Sequence, residues 1–271
     1  MRHLLLFLTA CLLACTLWAQ RPGQRPVVIQ LDPTDTSDKT PTLTVYLPRN
    51  SNGIAILECP GGGYTMLSMS HEGHDMAQWM NSQGITYAVV QYRMPNGDYT
   101  LPIKDAQAAL TQLRTHAQEW HLNPDRIGVM GCSAGGHLAS TLATHYTEAT
   151  KPNFQVLLYP VITMEESLTH SGSLHNLLGE NPPADLVEKF SNHLQVNAQT
   201  PPAFIILSND DRVVPPENSI LYYSALHKNG VNATLHIYPS GGHGWGNMDA
   251  FVWKRAWTGE LEQWLRELFH D

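Results

Sequence analysis

A serine framed by glycines, Gly131-Cys132-Ser133-Ala134-Gly135-Gly136, stands between a β-forming run, Arg126 to Cys132, and a stretch of small apolar residues. The pattern is G-x-S-x-G in the order strand, sharp turn, helix. Side chains two positions before and after the serine would collide in such a turn, so glycine fits both places. The hydroxyl is then held out at a sheet edge, near the positive end of the following helix. A serine hydroxyl is a weak nucleophile until an adjacent base takes its proton. Among 14 histidines, His243 is placed for that task, because Gly241-Gly242-His243-Gly244-Trp245-Gly246 follows an apolar run and its glycines allow a close approach. A carboxylate must hold the imidazole by its second nitrogen. The segment Ser208-Asn209-Asp210-Asp211-Arg212 follows another apolar run and offers two, Asp210 and Asp211. Spacing alone leaves that choice open.

A tetrahedral intermediate also needs preorganised N–H donors for its oxyanion. Cys59-Pro60-Gly61-Gly62-Gly63-Tyr64 follows the apolar run Ile54 to Leu57. Its Gly62 and Gly63 amides, with the amide of Ala134 just after the nucleophile, are the candidate donors. Tyr64 and Trp245 flank this set, and two roles stand open for them: stacking on a substrate ring or packing the pocket. His137 falls inside the helix after the turn, where packing or capping suits it. His71-Glu72-Gly73-His74 presents two imidazoles three residues apart. That is not the H-E-x-x-H arrangement, and no further ligand set accompanies it, so no metal site is expected. No organic cofactor is implied either.

The elements that must position these residues are legible as alternating strands and helices. Ile54 to Leu57 and Tyr87 to Val90 are continuous apolar runs, as in strands buried on both faces. Leu43, Val45 and Leu47 alternate with polar residues, and Val27 to Leu31 reads as an edge strand. Further strands fit Arg126 to Cys132, Phe154 to Tyr159, Ala203 to Ser208 and Thr234 to Tyr238. Between them, Ile103, Ala106, Leu110, Leu113, Ala117 and Trp120 recur at helical spacing. Gly135 to His145, Ser219 to Lys228 and Phe251 to Phe269 are the other helical stretches. Trp253, Trp257, Leu261, Trp264, Leu265 and Leu268 form one apolar side of the last. Alternation of this kind predicts an α/β fold with a mostly parallel sheet. Residues 161–200 lack strand signals and are a candidate cap inserted over the site.

Composition bounds the function. The chain has 271 residues, 42% hydrophobic and 15% charged, which is globular. Arg2 and His3 precede an apolar run from Leu4 to Trp18, shorter than the about 20 residues that span a bilayer. Residues 1–19 therefore read as a secretory signal peptide, with Cys15 as an alternative lipidation site. Export to the periplasm or medium follows, with residues 20–271 as one domain. The remainder carries 15 basic and 24 acidic residues, a formal −9. That balance argues against nucleic acid and anionic membranes as partners. No later run is long enough for a membrane span. Cys59 and Cys132 lie at the ends of expected core strands and read as small buried hydrophobes rather than a disulfide.

With these residues in place, the chain resembles the bacterial α/β-hydrolase-fold serine esterases that include acetylxylan esterases and feruloyl esterases. The resemblance runs through Pro60 to Tyr64, Glu72-Gly73, Trp79 to Gly84, Tyr92-Arg93-Met94-Pro95, Asp105-Ala106-Gln107, Arg126 to Ala139, Asp211 to Ser219 and Gly241 to Gly246. It implies the α/β-hydrolase fold: a mostly parallel central sheet, helices on both faces and a small cap insertion. It also implies Ser133, His243 and an aspartate in D-x-x-V-P, which here is Asp211 before Pro215. Many such enzymes have His-Gly-Gly-Gly where this chain has Pro60 before the glycines. The donors are backbone groups, so the hole is expected to stand. The implied substrates are short acyl esters on xylan or other plant-polysaccharide fragments. Feruloyl and general carboxylesterases belong to the same group. An exopeptidase would bring a large extra domain that this length does not hold, and a non-catalytic binding protein would not need the complete set of reactive groups.

Overall fold

The computed structural model describes residues 25–35 and 40–270. The signal-peptide reading of residues 1–19, with Cys15, lies outside the described residues. Eight strands form one sheet: β1 (Val27–Gln30), β2 (Thr42–Tyr46), β3 (Ala55–Cys59), β4 (Thr86–Gln91), β5 (Ile127–Cys132), β6 (Gln155–Leu158), β7 (Ala203–Ser208) and β8 (Ala233–Tyr238). Their order across the sheet is β1-β2-β4-β3-β5-β6-β7-β8. β1 and β2 pair antiparallel, as do β2 and β4, and every pairing from β4 through β3 to β8 is parallel. The apolar runs foretold this. Strands β3 to β7 are buried along almost their whole length, while β2 buries only Leu43 and Val45.

Seven α-helices accompany the sheet among the described residues: α1 (Ala77–Ser82), α2 (Thr100–Thr115), α3 (Ala134–Thr144), α4 (Ser171–Leu178), α5 (Ala184–Phe190), α6 (Glu217–Lys228) and α7 (Lys254–Phe269). Successive side chains of a strand point to opposite faces, so a covered sheet needs two cores. On one face Ala55, Leu57, Ile127 and Val129 meet Ala106, Leu110 and Leu113 of α2, Leu138 of α3 and Tyr222 of α6. On the other, Ile56, Met130 and Phe204 meet Met80 of α1 and Trp257, Leu261 and Trp264 of α7. Helix α2 stops at Thr115, earlier than its apolar spacing suggests, yet Ala117 and Trp120 still reach the core from the turns that follow.

Parallel strands end at a common edge. Loops after β3, β5, β7 and β8 therefore leave the sheet together, at the edge where open α/β sheets hold ligands. The stretch expected as a cap runs between β6 and β7 and carries α4 and α5. Cys59 and Cys132 are buried free thiols. No helix among the described residues is long and apolar enough to cross a membrane.

Candidate active site

Ser133 sits between β5 and α3 with φ 55° and ψ −120°, in a region sparsely populated by residues with a Cβ. Close packing holds it there. A Cβ on Gly131 would collide with the Gly135 carbonyl, and one on Gly135 with the Cys59 carbonyl. Only glycine serves at either position, which is the physical content of the G-x-S-x-G pattern. Ser133 N–H donates to the Leu158 carbonyl at 3.0 Å, tying the turn to the end of β6.

His243, after β8, brings Nε2 to 2.8 Å from Ser133 Oγ. Its Nδ1 lies 2.6 Å from Asp211 Oδ2. Asp211 is buried, and its other oxygen accepts the N–H groups of Val213 at 2.9 Å and Val214 at 3.0 Å. The carboxylate is thereby aimed, not merely near. Asp210 points elsewhere: its Oδ1 accepts the Gly242 N–H at 2.8 Å, and that bond holds its carboxyl below the ordinary range. The two aspartates that spacing left open thus split their work. One faces the imidazole and the other fastens the loop that carries it.

The loop after β3 packs against the Ser133 turn. A Cβ at Gly61 would stand 3.1 Å from Ser133 Cβ. The N–H groups of Gly62, Gly63 and Ala134 have no acceptor among the described residues, whereas Gly61 N–H is used. Unspent amides on a loop that packs against the Ser133 turn, with that of Ala134 beside the serine, are the candidate donors for a developing oxyanion.

Of the two roles open to Tyr64 and Trp245, substrate stacking and packing, burial favours packing. Tyr64 is 2% exposed and Trp245 4% exposed. The Trp245 ring stacks on Phe251 at 3.9 Å between centroids, and its Nε1–H donates to Ser208 Oγ at 3.1 Å. The Tyr64 hydroxyl meets His137 Nδ1 at 2.9 Å, and His137 Nε2 meets the Phe190 carbonyl at 2.8 Å. Neither aromatic face is open to a sugar, so both pack. Burial holds His137 down to about 4, with the Phe190 carbonyl pulling the other way. It is therefore neutral, donating from Nε2 to Phe190 and accepting from Tyr64.

Sequence reasoning missed a cross-brace behind the site. Glu72 is buried, and its Oε2 accepts the Gly61 N–H at 3.1 Å. Its Oε1 accepts the Tyr159 hydroxyl at 2.8 Å, and the Tyr159 oxygen accepts the Gly246 N–H at 2.8 Å. One carboxylate thus joins the glycine loop of the candidate oxyanion hole to the loop of His243. The Tyr159 ring also packs edge-on against the His243 ring, 4.7 Å between centroids. Glu72 and Tyr159 are 87 residues apart, and no local pattern announces such a contact. From the cap, Asn176 Nδ2 donates to the Gly63 carbonyl at 2.8 Å. Nearby, His74 of the two-imidazole segment is engaged by the Tyr46 hydroxyl at 3.0 Å. Among the described residues no three His, Cys, Asp or Glu side chains gather as a metal site.

Comparison with known proteins gives a consistent picture. Residues 56–247 match a family described by the alpha/beta hydrolase fold. An acetylxylan esterase of Xylanibacter ruminicola is 42% identical over 268 residues, covering 97% of this chain and 55% of its own length. An endo-1,4-beta-xylanase B of Butyrivibrio fibrisolvens is 32% identical over 253 residues, covering 84% of this chain and 39% of its own. The chain thus spans about half the length, or less, of these curated relatives. The crystal structure of an acetyl ester-xyloside bifunctional hydrolase from Caldicellulosiruptor lactoaceticus superposes with a TM-score of 0.85 at 35% identity, over 92% of this chain and 98% of that one.

Proposed function

The chain belongs to the α/β-hydrolase family, and on that premise we propose that it is a serine carboxylic-ester hydrolase that removes O-acetyl groups from xylan or related polysaccharide fragments. The observation that carries the chemistry is the continuous chain from Ser133 Oγ through His243 to Asp211, at 2.8 and 2.6 Å. The names of the relatives, which pair acetyl-ester cleavage with xylan or xylosides, support the substrate.

In this reading Ser133 Oγ attacks the acetyl carbonyl while His243 Nε2 takes its proton. The negative charge that forms on the carbonyl oxygen is held by the N–H groups of Gly62, Gly63 and Ala134. Asp211 keeps the proton on Nδ1 and balances the imidazolium. Collapse breaks the bond to the sugar oxygen, which leaves as an alcohol with the proton from Nε2. Water, deprotonated by the same nitrogen, then cleaves the acetyl–serine ester and releases acetate. The reading includes a leader at residues 1–19 that exports the enzyme to polymeric substrate, and N-terminal sequencing of the exported protein tests that part.

The substrate is tested by kcat/KM across p-nitrophenyl esters from C2 to C8, beside acetate release from acetylated xylo-oligosaccharides. Each added methylene gains only about 1 kcal/mol where it fits, so discrimination must come from a pocket that excludes it. A sharp fall beyond acetyl, with acetate released from the sugars, is expected. Rising activity toward C8 with no acetate from the sugars overturns the reading.

A further inference from the structure

With Tyr64 and Trp245 buried, some other group must read the sugar. The cap places one beside the catalytic loops. His170 precedes α4 and serves as its N-cap. Its Nδ1 accepts the Ser173 N–H at 3.2 Å and lies 2.9 Å from Ser173 Oγ. A ring nitrogen that accepts a backbone N–H carries no proton, so in the neutral ring the proton is on Nε2. Burial lowers the affinity of this imidazole for a second proton, and the nearby His243 lowers it further against a weaker pull from Asp211. His170 is therefore neutral around pH 7, a directional donor rather than a cation.

That donor is unspent: Nε2 makes no hydrogen bond among the described residues. Its direction is constrained. The ring edge at Cε1 stands 3.6 Å from the point where a Cβ on Gly63 would lie, and beyond Gly63 and its chain neighbours no other atom among the described residues comes within 4 Å of that point. Gly172 leaves the ring room, since a Cβ there would stand 3.0 Å from Cε1. His170 thus borders the open side of the glycine loop, close enough to feel both His243 and Asp211 electrostatically.

We propose that His170 is a specificity residue, its Nε2–H donating a hydrogen bond to a sugar oxygen of the bound ester. The inference rests on the esterase reading above and adds what selects the carbohydrate. A sugar offers hydroxyl and ring oxygens around its acetyl group, whereas the only further oxygens of a p-nitrophenyl leaving group are those of the nitro group, across the ring from the ester. Removing the donor must therefore separate the two substrates.

His170→Asn and His170→Ser both keep a side-chain oxygen to cap the Ser173 N–H while withdrawing the imidazole. The measurement is kcat/KM for p-nitrophenyl acetate and for an acetylated xylo-oligosaccharide. The sugar ester is expected to lose about tenfold, the worth of one hydrogen bond. The aryl ester, which shares only the acetyl group and the oxyanion, is expected to stay within about twofold. Retained aryl-ester turnover also reports that both variants fold. Equal losses on both substrates overturn the proposal, because His170 would then act through the Gly63 loop or His243. Unchanged activity on the sugar overturns it as well. Wild-type enzyme that cleaves the aryl ester but not the acetylated sugar defeats the substrate reading, and this inference with it, before any variant is made.

Discussion

Ser133, His243 and Asp211 meet through bonds of 2.8 and 2.6 Å, and each bond implies a separable loss. Ser133→Ala keeps the turn, since alanine also carries a Cβ, but removes the attacking oxygen. Turnover of p-nitrophenyl acetate is expected to fall by on the order of 10⁴ or more with the melting temperature little changed. A folded variant with near wild-type turnover would falsify the assignment. Asp211→Asn presents an amide that cannot fix the imidazole tautomer, so kcat is expected to fall by roughly 10³- to 10⁴-fold. Asp210→Asn only weakens an exposed bond to Gly242 N–H, and a change of no more than about tenfold is expected. Reversed effects would hand the role to Asp210. Ser133 and His243 were legible in the sequence because a strained turn and a glycine-rich loop each leave a local signature. The choice between adjacent aspartates was not legible from spacing and came only through the resemblance to D-x-x-V-P, since both are hydrogen-bonded carboxylates on one loop and only their directions differ. Tyr64 and Trp245 were ambiguous for a related reason: sequence places an aromatic near a site without saying which way the ring turns.

At the scale of elements, the central strands announced themselves through apolar runs, because a strand covered on both faces has little room for polar residues, while β2 showed as an alternation. Helices α1, α4 and α5 did not, each spanning too few residues for a periodic stripe to stand out. The cap's position was foreseen from its lack of strand signals, but its bonds to the glycine loop were not. The least legible device is the Glu72 brace. It has no sequence pattern, yet it ties together the glycine loop after β3 and the loop of His243. Glu72→Gln keeps the volume but replaces one acceptor with a donor, so either Gly61 N–H or the Tyr159 hydroxyl loses its partner. An orphaned buried polar group costs about 1–3 kcal/mol. If that cost appears as misplaced donors in the transition state, kcat falls by roughly 10- to 100-fold while KM for a small ester changes little. Tyr159→Phe should produce the same split, since it severs the same brace one bond along. A variant that melts lower but keeps wild-type kcat would reduce Glu72 to a structural brace without influence on the chemistry.

For the molecule as a whole, two buried titratable groups near the catalytic layer set opposite limits on stability. Glu58, on β3, is fully buried, and neither carboxyl oxygen has a hydrogen-bond partner of good geometry; Cys132 and Tyr87 are its polar neighbours. Burial pushes its carboxyl well above the ordinary range, and Glu72 nearby pushes the same way. The native state therefore holds a proton that the unfolded chain releases. The stability this confers is complete below the unfolded carboxyl value and is lost as pH rises through the native one. His137 works in the other direction. Its native value of about 4 lies below the ordinary 6.5, so its contribution is complete above 6.5 and is lost as pH falls toward 4. The expected profile is a plateau eroded by Glu58 on the alkaline side and by His137 on the acid side. Glu58→Gln removes the first titration while keeping the shape. The difference in unfolding free energy, wild type minus variant, should fall as pH rises from 5 to 9, with a slope approaching about 1.4 kcal/mol per pH unit where one proton separates the two states. Chemical denaturation at several pH values measures it, with Asp210→Asn as a control on an exposed carboxylate. A difference that stays flat across that range would mean that Glu58 carries the same charge folded and unfolded, and the burial argument for a neutral acid behind the Ser133 turn would fail.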